Sequence, residues 1–281
     1  MIRIGAGRGE RAALGMILLL GALACGGGVD GGPPPPGALA PAAPLDVSGW
    51  VMASDGTVPL AIEISDAFAR RIGKRPFVVA NLLSRRKFDA NRDLSEATGS
   101  YAPLAPFWTL FHERIDSAKA RAVRVHPRAL LIDLHGHAHA VARLDLGYLL
   151  SAANLRLPDS VVTPLMFASS IAGLDAVAVS RDSGVALLRG ARSLGSRFAQ
   201  VGFPTVPSAA DPAPAAGDAY FNGGYNTQRH GSQSAGSVDA IQIECNYAGV
   251  RATPTARTNF AEAFATAALA YFADHYGWVP A

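Results

Sequence analysis

The chain has 281 residues, 49% of them hydrophobic and only 17% charged, so it can bury a full core within one domain. Its formal net charge of +3 is small, and its basic residues (Arg70, Arg71, Lys74, Arg75, then Arg85, Arg86, Lys87) are scattered without interleaved aromatics, which sets nucleic-acid binding aside. Two cysteines, Cys25 and Cys245, exclude a disulfide-built scaffold.

The first residues read as an address. Arg3, Arg8 and Arg11 form a basic region, residues 12–24 an apolar one, and Ala22-Leu23-Ala24-Cys25 resembles a lipobox. Residues 1–25 are therefore expected to be an export signal with lipidation at Cys25, residues 26–48 a Gly/Pro/Ala-rich tether, and residues 49–281 the folded domain. That organisation implies a bacterial lipoprotein, exported to the periplasm or outside the cell and held at a membrane by lipid alone. The apolar run is too short and too rich in glycine for a membrane-spanning helix.

Within the domain, apolar spacing predicts a helix over residues 57–71, capped by Thr57 and stopped by Gly73. Residues 76–83 read as a buried strand, residues 84–93 as a polar loop, and residues 103–121 as an amphipathic helix carrying Leu104, Trp108, Phe111, Ile115 and Ala118 on one stripe. Residues 129–139, A-L-L-I-D-L-H-G-H-A-H, follow. The apolar run marks a strand buried on both faces, and it ends in Asp133 and the alternating His135, His137 and His139, with Gly136 expected to end the strand. Three of the chain's seven histidines fall within five positions where α/β sheets place their chemistry, at the carboxyl end of a strand.

Residues 144–150 form another apolar run, residues 184–200 a helix, residues 204–214 a Pro-rich loop and residues 220–236 a long irregular loop. V-D-A-I-Q-I-E-C is a strand that delivers Glu244, with Cys245 as a small buried hydrophobe. A last helix covers residues 255–275, where His275 is explained by the helix dipole. Strands alternating with amphipathic helices predict an α/β chain, an α/β/α sandwich with a central mixed sheet.

Histidines able to hold a metal, a guanidinium at Arg92 beside Asn91 able to clamp a carboxylate, and a separate carboxylate at Glu244 able to move protons make up the parts of a metal hydrolase. D-A-N-R (residues 89–92), L-I-D-L-H-G-H (131–137), L-G-Y-L-L (146–150), Y-F-N-G-G-Y-N (220–226) and I-Q-I-E-C-N (241–246), in this order, resemble the N-formylglutamate amidohydrolase family. The resemblance runs from about residue 55 to the end. It implies a three-layer, phosphorylase/hydrolase-like α/β/α fold related to the zinc carboxypeptidases, one zinc ion with His135 as ligand, Asn91 and Arg92 on the substrate, and Glu244 as general base. Asp55 matches an aspartate near the family's metal, and His137, His139 or Asp55 could complete the ligand set. The family's early Pro-His-x-Gly stretch has no counterpart here, which leaves the expected zinc site one ligand short of the usual three and implies impaired turnover.

Two functions follow. One is a metal-dependent hydrolase cutting an amide bond in an N-acyl amino acid or small peptide-like compound. The alternative is a catalytically inactive lipoprotein that keeps the fold and binds a small carboxylated ligand. A barrel amidohydrolase would need more histidines downstream than His230 and His275, and G-S-Q-S-A-G at residues 231–236 is not a nucleophile elbow.

Overall fold

A computed structural model of the chain describes residues 2–5, 16–20, 56–83, 85, 87–99, 101–233 and 236–278. At its centre lies a mixed sheet of seven strands: β1 (Ile2–Gly5), β2 (Met16–Leu20), β3 (Phe77–Asn81), β4 (Ala129–His137), β5 (Leu144–Gly147), β6 (Thr205–Val206) and β7 (Val238–Asn246), in the spatial order β1-β3-β2-β4-β7-β5-β6. β3, β2, β4 and β7 run parallel; β1 lies antiparallel on β3, and β5 antiparallel on β7.

Alternation along β4 explains how the sheet is covered. Leu130, Ile132 and Leu134 share a core with Ile241 and Ile243 of β7, with Leu60, Ile64 and Phe68 of α1 (Thr57–Ile72), and with Phe260, Phe264 and Tyr271 of the last helix. Ala129 and Leu131 instead join Val238 and Ala240 in a second core with Phe111, Ile115 and Ala118. Those three come from α3 (Ala105–Val125), which follows the short helix α2 (Leu94–Thr98). The expected α/β arrangement of a mixed sheet between helical layers is thus present.

Several expectations shift in detail. Gly56 occupies the N-cap position of α1 and Thr57 begins the helix, while Gly73 closes it at φ 65° as expected. α3 runs four residues further than its periodicity predicts. The single helix expected over residues 184–200 is two. Among four one-turn helices, α4 to α7 (Ala152–Leu155, Asp159–Val162, Ala172–Asp175, Ala186–Arg189), the last ends where Gly190 turns extended. α8 (Leu194–Gln200) restarts with the Ser193 hydroxyl accepting from the Ser196 amide. The loop expected over residues 220–236 contains α9 (Tyr225–His230), and α10 (Pro254–His275) is capped by Thr253.

Gly136 does not end β4, which continues through His137. A Cβ at Gly136 would stand 2.2 Å from the Arg251 Cζ, so the glycine is there to let a guanidinium cross the strand. Arg251 donates from Nε to the Cys245 carbonyl and from Nη2 to the His137 carbonyl, tying β4 to β7 at the end that carries the polar residues.

The amino-terminal segment also enters the sheet. Met16–Leu20, expected as the apolar stretch of an export signal, is a central strand: Ile17 to Leu20 pair with Phe77 to Ala80, and Met16 to Leu20 pair with Leu130 to Leu134. A segment removed on export could not hold this place in the mature chain, so the strand and the cleaved signal are competing fates of the same residues. Cys25 and Asp55 lie outside the described residues. Among the described residues no helix is long and apolar enough to cross a membrane.

Candidate functional site

The face of the sheet that packs on α3 turns polar toward the carboxyl ends of β4 and β7. Strand register makes this a row: His135 is opposite Glu244, which is opposite Asp145 on β5. One pair back, Asp133 is opposite Gln242. All five side chains are buried. Buried polar side chains require partners, and here the partners are largely one another.

Asp133 Oδ1 lies 2.9 Å from His135 Nε2 and accepts from Asn226 Nδ2 at 3.2 Å. Gln242 Nε2 donates to Glu244 Oε1 at 3.0 Å. The donors then run out. Among the described residues, Asp133 Oδ2, Glu244 Oε2, Gln242 Oε1 and Asn226 Oδ1 are buried with no hydrogen-bond partner, four acceptor oxygens on the residues of this row and its Asn226 neighbour. Such a floor suits a water, a cation or a substrate that brings donors.

Electrostatics sharpen the roles. Burial opposes charge on His135, but the Asp133 carboxylate, helped by Glu244, outweighs it and raises the pKa to about 9. Burial pushes the Glu244 carboxyl up; His135 opposes that, and Asp133 and Asp145 add to it. The result is a cationic imidazole facing a carboxylate that takes a proton readily.

Of the two residues expected to hold substrate, the structure brings only one to this row. Asn91 is buried, its Nδ2 is 3.4 Å from His135 Nε2 and its Oδ1 accepts from the Asn226 amide at 2.8 Å. A Cβ at Gly224 would stand 2.4 Å from Asn91 Nδ2, which accounts for the glycine in Y-F-N-G-G-Y-N. Arg92 instead sits half-exposed at 3.6 Å from Asp89 and 4.0 Å from Glu96. The guanidinium whose field reaches both His135 and Glu244 is Arg85, held by Asp89 through Nε at 2.7 Å. Sequence reasoning grouped Arg85 with scattered surface charge. Its signal was its place in the same segment as D-A-N-R.

His137 and His139 are not partners of His135. His137 donates from Nε2 to the Arg143 carbonyl at 2.8 Å and accepts at Nδ1 from the His139 amide at 3.0 Å, which fixes its tautomer. His139 Nδ1 is 3.1 Å from Asp145 Oδ2, and its ring stacks on Phe221 with centroids 4.9 Å apart. Among the described residues, one set of three candidate metal donors comes together: one donor atom each from His137, His139 and Asp145, all within 4.8 Å of one another. Of the expected ligands it contains His137 and His139 and leaves out His135.

A second histidine pair was missed altogether. His112 Nδ1 and His230 Nε2 are 3.0 Å apart, both buried, with His230 Nδ1 at 3.4 Å from Asp116. His230 and Asn226 lie one turn apart on α9, so the pair fastens α9 to α3 while Asn226 reaches Asn91 and Asp133. Distance in sequence, 118 positions, hides this contact.

No protein-family model matches the chain, and no curated protein matches it. Among solved structures it is similar to the N-formylglutamate amidohydrolase of Ralstonia eutropha, at 12% identity over 96% of this chain and 97% of that one, with a TM-score of 0.49. It is also similar to a gene product of Agrobacterium tumefaciens, at 11% identity over 97% and 95% of the two chains, with a TM-score of 0.46. Both likenesses are distant, and neither assigns a role to a residue of this chain.

Proposed function

We propose that this protein is a metal-dependent hydrolase that cleaves an amide bond in an N-acyl amino acid or a small peptide-like compound. The observation that carries the reading is Glu244. Its carboxylate is buried opposite His135, has one oxygen without a partner among the described residues, and has a raised proton affinity, which together describe a general base at the carboxyl ends of two parallel strands.

In this reading Glu244 Oε2 takes a proton from the attacking water as the new C–O bond forms, and returns it to the amide nitrogen as the C–N bond breaks. His135, kept cationic by Asp133, faces the charge that grows on the carbonyl oxygen. Asn91 Nδ2 offers a neutral donor beside it, and Arg85, with Arg92 further out, draws the substrate carboxylate. A bound zinc ion would supply a Lewis acid for the carbonyl, and the imidazoles and unpartnered acceptor oxygens at this end of the sheet are donor chemistry that suits it.

The test is release of free amine from N-formyl and N-acetyl amino acids by the purified chain, with zinc supplied. Glu244→Gln should lower kcat by about 100-fold or more. Binding of the N-acyl amino acid with no release by the wild type would replace this reading with that of an inactive ligand-binding protein.

A further inference from the structure

We propose that the divalent cation of this protein is seated on His137, His139 and Asp145, two residues further along β4 than His135, and that His135 is not a ligand. The placement rests on the hydrolase reading only for what the metal would do; whether it binds there is a separate question.

His135 is committed elsewhere, its Nε2 being 2.9 Å from the carboxylate of Asp133. His137 is set up differently. Its Nε2–H is anchored on a backbone carbonyl, the kind of outer bond that orients a ligating imidazole and leaves the other nitrogen to the metal. That nitrogen, Nδ1, accepts from the His139 amide, so metal binding exchanges one backbone hydrogen bond for a metal bond. Donors about 2.0–2.2 Å from a zinc ion in a tetrahedral shell stand about 3.3–3.6 Å apart. The donor atoms of His137, His139 and Asp145 lie within 4.8 Å of one another, so side-chain rotation that brings the widest pair about 1.2–1.5 Å closer completes the set.

Charge points the same way. The Arg143 guanidinium is paired with three carboxylates, Asp145 at 3.4 Å and Asp211 and Asp218 at 3.0 Å each, so one positive charge faces three negative ones. A cation seated among these carboxylates relieves that excess, against the opposing charges of Arg143 and of Arg251, whose Nη2 is 2.9 Å from the His137 carbonyl. Glu244 is opposite Asp145 in the β5–β7 register, and its Oε2 is a buried acceptor with no partner among the described residues. Entry is open as well, because the His139 side chain is 17% exposed at the edge of the cluster. Two imidazoles and one carboxylate suit zinc-class cations and leave coordination positions for water and substrate.

The experiment is titration of the chelator-treated full chain with Zn²⁺ and with Co²⁺, followed by X-ray absorption of the zinc-loaded protein. One equivalent is expected, with two imidazoles in the first shell and visible ligand-field bands for Co²⁺. His139→Gln should weaken binding about 100-fold or more, and His135→Gln should leave it within about threefold. No uptake by the wild type, a shell with one imidazole, or loss of binding in His135→Gln but not in His139→Gln would each overturn the proposal. The X-ray absorption result needs no variant and so does not depend on a substituted chain folding. One equivalent bound here without amide hydrolysis would sink the hydrolase reading and leave the site standing; hydrolysis with no metal on these residues would do the reverse.

Discussion

Burial alone would strip the proton from His135, yet Asp133 at 2.9 Å and Glu244 across the strand pair hold it on to a pKa of about 9. A histidine whose folded pKa is raised contributes stability that is complete below the unfolded value of about 6.5 and is lost as pH climbs through 9. The loss is on the order of 3 kcal/mol for a shift of this size. His112 works at the other end: burial first, then His230 and Arg229, lower its pKa to about 3, and His230 is lowered by burial too. Their contribution is present above about pH 6.5 and drains away as pH falls below it. Urea midpoints measured from pH 4 to 10 should therefore peak near neutrality. The alkaline limb should flatten in His135→Gln, and an alkaline slope unchanged by that substitution would show that His135 is not held charged. At this scale the sequence was informative where a polar residue closes an apolar run, as at Asp133, His135 and Glu244, because a buried strand leaves such a residue nowhere to go but a site. It could not tell Arg85 from Arg92, since both flank the same turn and both reach Asp89, Arg85 at 2.7 Å and Arg92 at 3.6 Å, and only the folded loop decides whose charge reaches the buried row. It saw His139 in the histidine run but could not see Asp145 beside it, because that contact needs β5 folded back antiparallel on β7.

β4 owes its last two residues to a missing side chain. With a Cβ at Gly136, Arg251 Nε and Cζ would stand at 2.5 and 2.2 Å, so the guanidinium that bridges the Cys245 and His137 carbonyls would have to leave. Gly136→Ala is expected to cost about 3 kcal/mol through overpacking and lost buried hydrogen bonds, read as a lower urea midpoint at unchanged slope. It should also loosen His137, seen as changed chemical shifts for its ring; a midpoint equal to the wild type would remove Arg251 from the account. Long helices and strands were legible because their periodicity is sustained: α1, α3, α10, β4 and β7 sit within a few residues of their expected places. The errors fall where local chemistry interrupts a period. Ser193 restarts a helix that apolar spacing alone would continue. Tertiary contacts wind Tyr225–His230 into a helix within a segment whose composition reads as loop, the His112 contact and the Asn91 bond holding its two ends.

Across the whole molecule two fates compete for Met16–Leu20, since basic residues ahead of an apolar run, followed by a cysteine, satisfy an export signal and a parallel strand equally well in composition. The two alternatives differ in what they do to the sheet. β2 lies between β3 and β4, and its removal would leave both neighbours with an unpaired row of backbone donors and acceptors in the interior of the molecule. Buried peptide groups without partners cost on the order of 1–3 kcal/mol each, and four to five residue pairs are lost on each side, more than the net stability of an ordinary domain. A chain beginning at Cys25 is therefore expected not to unfold cooperatively, whereas the full chain should give a single sharp thermal transition. Intact-mass analysis of the protein from its native membrane and soluble fractions gives the complementary reading: the folded form should retain residues 16–20. A diacylated or triacylated Cys25 at the amino terminus of a protein that still melts cooperatively would show that the strand is dispensable, and would restore the lipoprotein tether over residues 26–48 as the right description of this end of the chain.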